Sequence, residues 1–296
     1  MSNVWDAMKK HQSSAQPPAA QESKDQPQVI GEPLEEGVYV SHVSPATVSS
    51  ATAKAGITKI VEIPHSHKHS LEIGKGYSQA LLTHFDRGGK VSEDYRALRT
   101  SLLAQSQQEG FAYVVTSAQA GEGKTVTSLN LGIIMTECND KATLIVDCNM
   151  RNNSIAKMVG IKSNPGLADM LRGGHRLDDI IQPSAYKNLS LISSGVAKHD
   201  EVAELLGKPA MEQAIAELRK RYDYIFFDTP AVNVFADAGI IGRTIGQALM
   251  VVRIDKTPRE SVERCAALLR SANINPSGVI LTHRKHFIPA CLYRCA

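Results

Sequence analysis

Ser117-Ala-Gln-Ala-Gly-Glu-Gly-Lys-Thr125 is the stretch that decides the fold. It follows the apolar run Ala112–Ser117 and opens the helical pattern Lys124–Thr136, which gives the order strand, turn, helix. It departs from GxxxxGK[ST] only at Ala118, where the first glycine usually stands. Small residues let consecutive backbone N–H groups turn inward around phosphate oxygens, and a helix N-terminus aims positive potential at them. Gly121 and Gly123 supply conformations that side chains forbid. Ala120, Gly121, Glu122, Gly123, Lys124, Thr125 and Val126 are therefore the expected nucleotide contacts. Lys124 is expected to reach the β and γ phosphates, and the Thr125 hydroxyl to ligate Mg²⁺.

Outward from this loop, short apolar runs alternate with helical patterns to residue 282. The expected strands are Ala112–Ser117, Thr143–Asp147, Leu189–Ser193, Tyr224–Asp228, Ala248–Arg253 and Gly278–Thr282. Helices are expected at Lys124–Thr136, Glu201–Arg221, Ala236–Thr244 and Arg259–Ala272, with an earlier one in SEDYRALRTSLLAQ capped by Ser92. Almost wholly apolar strands separated by helices imply an α/β fold, a doubly wound, mostly parallel sheet covered on both faces. Two strands end in aspartate, Asp147 and Asp228. Ligands sit at the C-terminal ends of such strands, and a carboxylate buried there calls for a cation. Mg²⁺ fits, with Thr125, Asp147 and Asp228 as its candidate ligands. Asp147 is also placed either to polarise water or to take a proton from an incoming hydroxyl, and Lys124, Asp147 and Asp228 form the candidate catalytic set.

The rest of the chain bounds the reading. Of 296 residues 43% are hydrophobic, enough for a sizeable core, which excludes wholesale disorder. The net charge of +3 is too balanced to argue for nucleic acid, and none is expected as a partner. No apolar run approaches the roughly 20 residues of a membrane span. Five cysteines without a CxxC pair read as reduced cytosolic thiols. Residues 1–80 are expected to form an N-terminal region apart from the domain at 81–296. Within it, MSNVWDAMKKHQ suggests a short helix, 13–35 a flexible linker and Gly37–Val43 a strand. The alternate histidines His65, His67 and His69 share one face if extended, but Lys68 interrupts them and no acidic ligand is near; a solvated loop is expected.

SAQAGEGKT, LIVDCNMR and FFDTPAV together resemble the Walker A, A′ and B motifs of the bacterial protein-tyrosine kinases of exopolysaccharide and capsule synthesis, the CpsD/CapB/Wzc type. Leu82-Thr-His-Phe-Asp86, Glu93-Asp-Tyr-Arg-Ala-Leu-Arg99, Gly166-Leu-Ala-Asp-Met-Leu171, Glu204-Leu-Leu206 and Asp237-Ala238 fall in that family's order. The resemblance implies ATP·Mg²⁺ binding and phosphoryl transfer to tyrosine hydroxyls. It also implies a homo-oligomer and a membrane-anchored polysaccharide co-polymerase (chain-length determinant) as activator. A cytoplasmic location at the inner face of the membrane follows. Glu93, Arg96 and Arg99 match the family's oligomerisation motif, and lie on one broad helical side. Three departures stand out: Asn149 replaces the second acid of DxD, Ala231 replaces a proline, and the terminal tyrosine cluster is reduced to Tyr293, the one candidate phosphoacceptor there. These favour an alternative, an ATP-binding assembly module of the same pathway with little kinase activity; a ParA/MinD-like ATPase of the same fold class is a further alternative. The latter usually carries an early lysine where this chain has Gln119.

Overall fold

The computed structural model describes residues 60–63, 76–105, 110–138 and 141–283. The expected N-terminal helix, the linker, the Gly37–Val43 strand, the histidine run and the tail with Tyr293 lie outside the described residues.

Eight strands form one sheet: β1 (Ile60–Ile63), β2 (Phe111–Ser117), β3 (Thr143–Asp147), β4 (Ile181–Pro183), β5 (Leu189–Ile192), β6 (Tyr224–Asp228), β7 (Gln247–Arg253) and β8 (Asn275–Thr282). Their order is β1-β8-β7-β2-β6-β3-β5-β4. All neighbours are parallel except β4, which turns back antiparallel on β5 at the edge. The six expected strands are all present; β1, from the 36–80 stretch, and the short edge strand β4 are two more that the sequence reading did not assign.

Alternation along each strand sorts the core into two layers, because successive side chains face opposite ways. Val114, Val146, Phe227 and Met250 face one cluster, and Val115, Ile145, Phe226 and Val251 the other. The first layer packs under α5 (Leu167–Leu171), α7 (Val202–Leu206), α8 (Pro209–Arg221), α9 (Asp237–Ile245) and α10 (Arg259–Ser271). The second packs under α2 (Lys90–Gln105), α3 (Lys124–Met135) and α4 (Ser154–Val159). Two short helices, α1 (Leu82–Phe85) and α6 (Leu177–Ile180), complete the described set.

Two expectations are corrected. The helix expected over Glu201–Arg221 is two, α7 and α8, broken at Gly207-Lys208; Pro209 opens α8 at its first turn, where a missing N–H costs nothing. Ser92 is not an N-cap. The helix starts at Lys90, and Ser92 lies inside it, donating its hydroxyl to the Asp86 carbonyl at 2.5 Å.

Candidate active site

The sheet order places the site. β2 lies between β7 and β6, and β6 between β2 and β3, so the loop after β2 opens beside both aspartate-tipped strands. Asp147 and Asp228 are direct neighbours in the β3–β6 register. The loop itself turns through positive φ at Gly121 (+78°) and Gly123 (+94°), and Gly123 precedes the first residue of α3. These are the two positions where glycine is required.

Lys124 opens α3 and is buried; its Nζ donates to Ser117 Oγ at 2.7 Å. Burial lowers its pKa, against the pull of Asp228 and Glu122. Thr125 Oγ1 donates to Asp228 Oδ2 at 2.6 Å. Asp228 Oδ1 is buried and accepts nothing. Burial pushes Asp228 up to about 6, the Thr125 hydrogen bond and Lys124 opposing it. Asp147 is fully buried, and burial together with the neighbouring Asp228 pushes it up to about 8. Its Oδ1 accepts the Asn149 N–H at 2.9 Å and its Oδ2 the Ile155 N–H at 3.0 Å, which fixes the carboxyl plane.

Two adjacent acids with raised pKa values, one oxygen without a partner and a threonine hydroxyl beside it make a cation-seeking arrangement. The residues present therefore fit Mg²⁺, with Thr125 and Asp228 as the hydroxyl and carboxylate nearest to hand and Asp147 beside them. The structure thus brings Lys124, Thr125, Asp147 and Asp228 together.

Glu122 does not offer its side chain to the loop's mouth. The carboxylate is turned inward, and the residue is 2% exposed. Glu93, Arg96 and Arg99 lie along α2, but within the chain both arginines are engaged by Glu137, just past the end of α3. Arg96 meets it at 2.6 Å and Arg99 at 2.7 Å, while Arg96 also pairs with Glu93 at 2.5 Å.

Sequence reasoning missed an ion pair at the site. Arg151, two residues after Asn149, pairs with the buried Asp237 and lies 4.0 Å over the Phe235 ring. Burial, and after it the charges of Asp147, Asp228 and Asp237, push the buried Cys148 thiol upward. The signal was present: Arg151 closes the LIVDCNMR motif and Asp237 had been noted as part of another.

A profile of the AAA domain matches residues 113–255. The tyrosine-protein kinase Wzc of Salmonella typhi is 32% identical over 240 residues, covering 78% of this chain and 33% of that protein. YwqD, a tyrosine-protein kinase of Bacillus subtilis (strain 168), is 28% identical over 195 residues, covering 66% of this chain and 81% of that protein. The kinase domain of the Escherichia coli tyrosine kinase ETK superimposes with a TM-score of 0.71 at 25% identity, over 81% of this chain and 96% of that one. The chain thus spans about a third of the length of the Wzc relative and most of the length of the shorter one. Motif order, covered length and superposition agree: on a P-loop nucleotide-binding fold, this chain is similar to the bacterial tyrosine-protein kinase domains.

Proposed function

We propose that the chain is an ATP- and Mg²⁺-dependent protein-tyrosine kinase that phosphorylates its own copies and regulates exopolysaccharide or capsule polymerisation and export. The observation that carries this is the buried pair Asp147–Asp228 beside Lys124 and Thr125, on a chain whose relatives are tyrosine-protein kinases.

When bound, the metal would neutralise phosphate charge between Thr125 and Asp228. The loop's N–H groups and Lys124 hold the phosphates in line with the acceptor. The tyrosine oxygen forms a bond to the γ-phosphorus, the bond to the β–γ bridging oxygen breaks, and ADP leaves. The phenolic proton passes to the Asp147 carboxylate, which its two backbone donors hold in orientation.

Tyr293 is the acceptor we assign within the terminal segment. Glu93, Arg96 and Arg99 would contact a neighbouring subunit, and the activator would be a membrane-anchored polysaccharide co-polymerase that holds the chain at the inner membrane face. Among the described residues, no helix is long and apolar enough to cross a membrane. Purified chain with labelled ATP and the co-polymerase fragment tests the reading: wild type is expected to label on tyrosine and Lys124→Met to lose it. No lysine-dependent label would overturn it.

Asn149 supports a second reading, an ATP-dependent assembly module with little transfer activity, because an amide there removes one negative charge beside Asp147. Tight ATP binding with neither phosphotyrosine nor hydrolysis would favour it. The ParA/MinD-like reading is less supported, since Gln119 occupies the place of the early lysine and reaches towards Ser261 at 3.5 Å.

A further inference from the structure

The phosphate loop contains a carboxylate, which by charge alone is misplaced next to a polyanion. Glu122 lies between Gly121 and Gly123, the two loop glycines with positive φ, at the point where the backbone has the most freedom to lose. Its side chain removes that freedom. Oε2 accepts the loop's own Gln119 N–H at 2.6 Å. Oε1 accepts the Arg253 N–H at 3.3 Å, at the C-terminal end of β7, and the Thr257 hydroxyl, in the turn that follows. The Glu122 carbonyl accepts the Thr282 hydroxyl at 2.9 Å, at the end of β8. Hydrogen bonds to a carboxylate are the strong ones, and here they run from the loop to the end of β7 and the turn that follows it.

We infer that Glu122 is a positioning residue for the nucleotide: its carboxylate ties the loop to the end of β7 and the turn after it, and so fixes the backbone N–H groups that receive phosphate. The inference rests on the nucleotide-binding reading above. It assigns the side chain a task distinct from that of its own N–H, and it accounts for a buried acid that the transfer chemistry does not use. Glutamine keeps the volume but must present an NH₂ to at least one of three donors, which breaks the cluster.

The test is calorimetric titration of the full chain with ATP and Mg²⁺, comparing wild type, Glu122→Gln, Thr257→Val and a control, Asp223→Asn. Asp223 clamps Lys141 (3.1 Å) and the Ala142 N–H (2.8 Å) at the opposite end of the sheet. The account expects Glu122→Gln to weaken binding about tenfold or more, and Thr257→Val about threefold. It expects Asp223→Asn to bind as wild type even where its melting temperature drops. Wild-type affinity in Glu122→Gln, or affinity losses that follow melting temperature alone across all three variants, would overturn the proposal. Should Glu122→Gln fail to fold, Thr257→Val decides: unchanged affinity there overturns it. No ATP uptake by wild type would instead overturn the nucleotide reading, and this proposal with it.

Discussion

Asp147 carries a pH dependence that the metal-free chain should express. Its pKa rises from 3.8 in the unfolded chain to about 8 in the folded one, chiefly through burial. The folded state therefore binds a proton that the unfolded state has already released, throughout the interval between those values. A group of this sign contributes most below the unfolded value, and its contribution is lost as pH rises through the folded value. The slope for one such group is about 1.4 kcal/mol per pH unit. Asp228, raised to about 6, adds a similar slope below that pH, so above it Asp147 acts nearly alone. Between pH 6 and 7.5 the expected loss is about 2 kcal/mol, or roughly 4 to 8 °C in melting temperature for a domain of this size. Asp147→Asn removes the titrating group. It also replaces one acceptor of the Asn149 or Ile155 N–H, so its absolute stability is not the readout; its slope is. Thermal unfolding in chelator across pH 6 to 7.5 should show a falling melting temperature in wild type and a flatter line in the variant. Parallel lines for the two proteins would refute the reasoning.

Other outcomes follow from the same geometry. Asn149→Asp restores a second acid beside Asp147 and is expected to raise tyrosine phosphorylation severalfold; an unchanged initial rate would show that the missing charge does not limit transfer. Arg151→Ala leaves Asp237 buried without its partner and is expected to cost about 3–5 kcal/mol in denaturant unfolding, with a loss under 1 kcal/mol contradicting the pair's assignment. Gly166→Ala would place a Cβ 2.3 Å from the Gly195 backbone nitrogen, where no side chain can yield, so a loss of about 1–3 kcal/mol is expected from the same measurement.

Much of this was legible because the physics is local. An apolar run ending in Asp147 or Asp228 can only be a buried strand opening on something positive, and GEGKT between strand and helix can hardly be anything but a phosphate loop. Where the sequence misled, the cause was a nearby competing contact, a local restart, or a partner far along the chain. Ser92 has the chemistry of a cap, yet the helix begins two residues earlier and its hydroxyl turns back to Asp86. The Glu201–Arg221 pattern is helical throughout in period, but Pro209 restarts it. Glu122 read as one more loop residue because its partners Arg253, Thr257 and Thr282 are more than a hundred positions away. Shorter separations, 86 positions for Arg151 and Asp237, 41 for Arg96 and Glu137 and 38 for Arg99 and Glu137, hid those pairs as well.

The central claim is that Lys124 and the two strand-tip aspartates transfer phosphate to tyrosine. Mass spectrometry of the full chain after expression with its co-polymerase fragment, wild type beside Lys124→Met, tests it most directly. Phosphotyrosine on wild type, with Tyr293 among the sites, and none on the variant is the predicted result. Equal phosphotyrosine on both, or none on either, would contradict it.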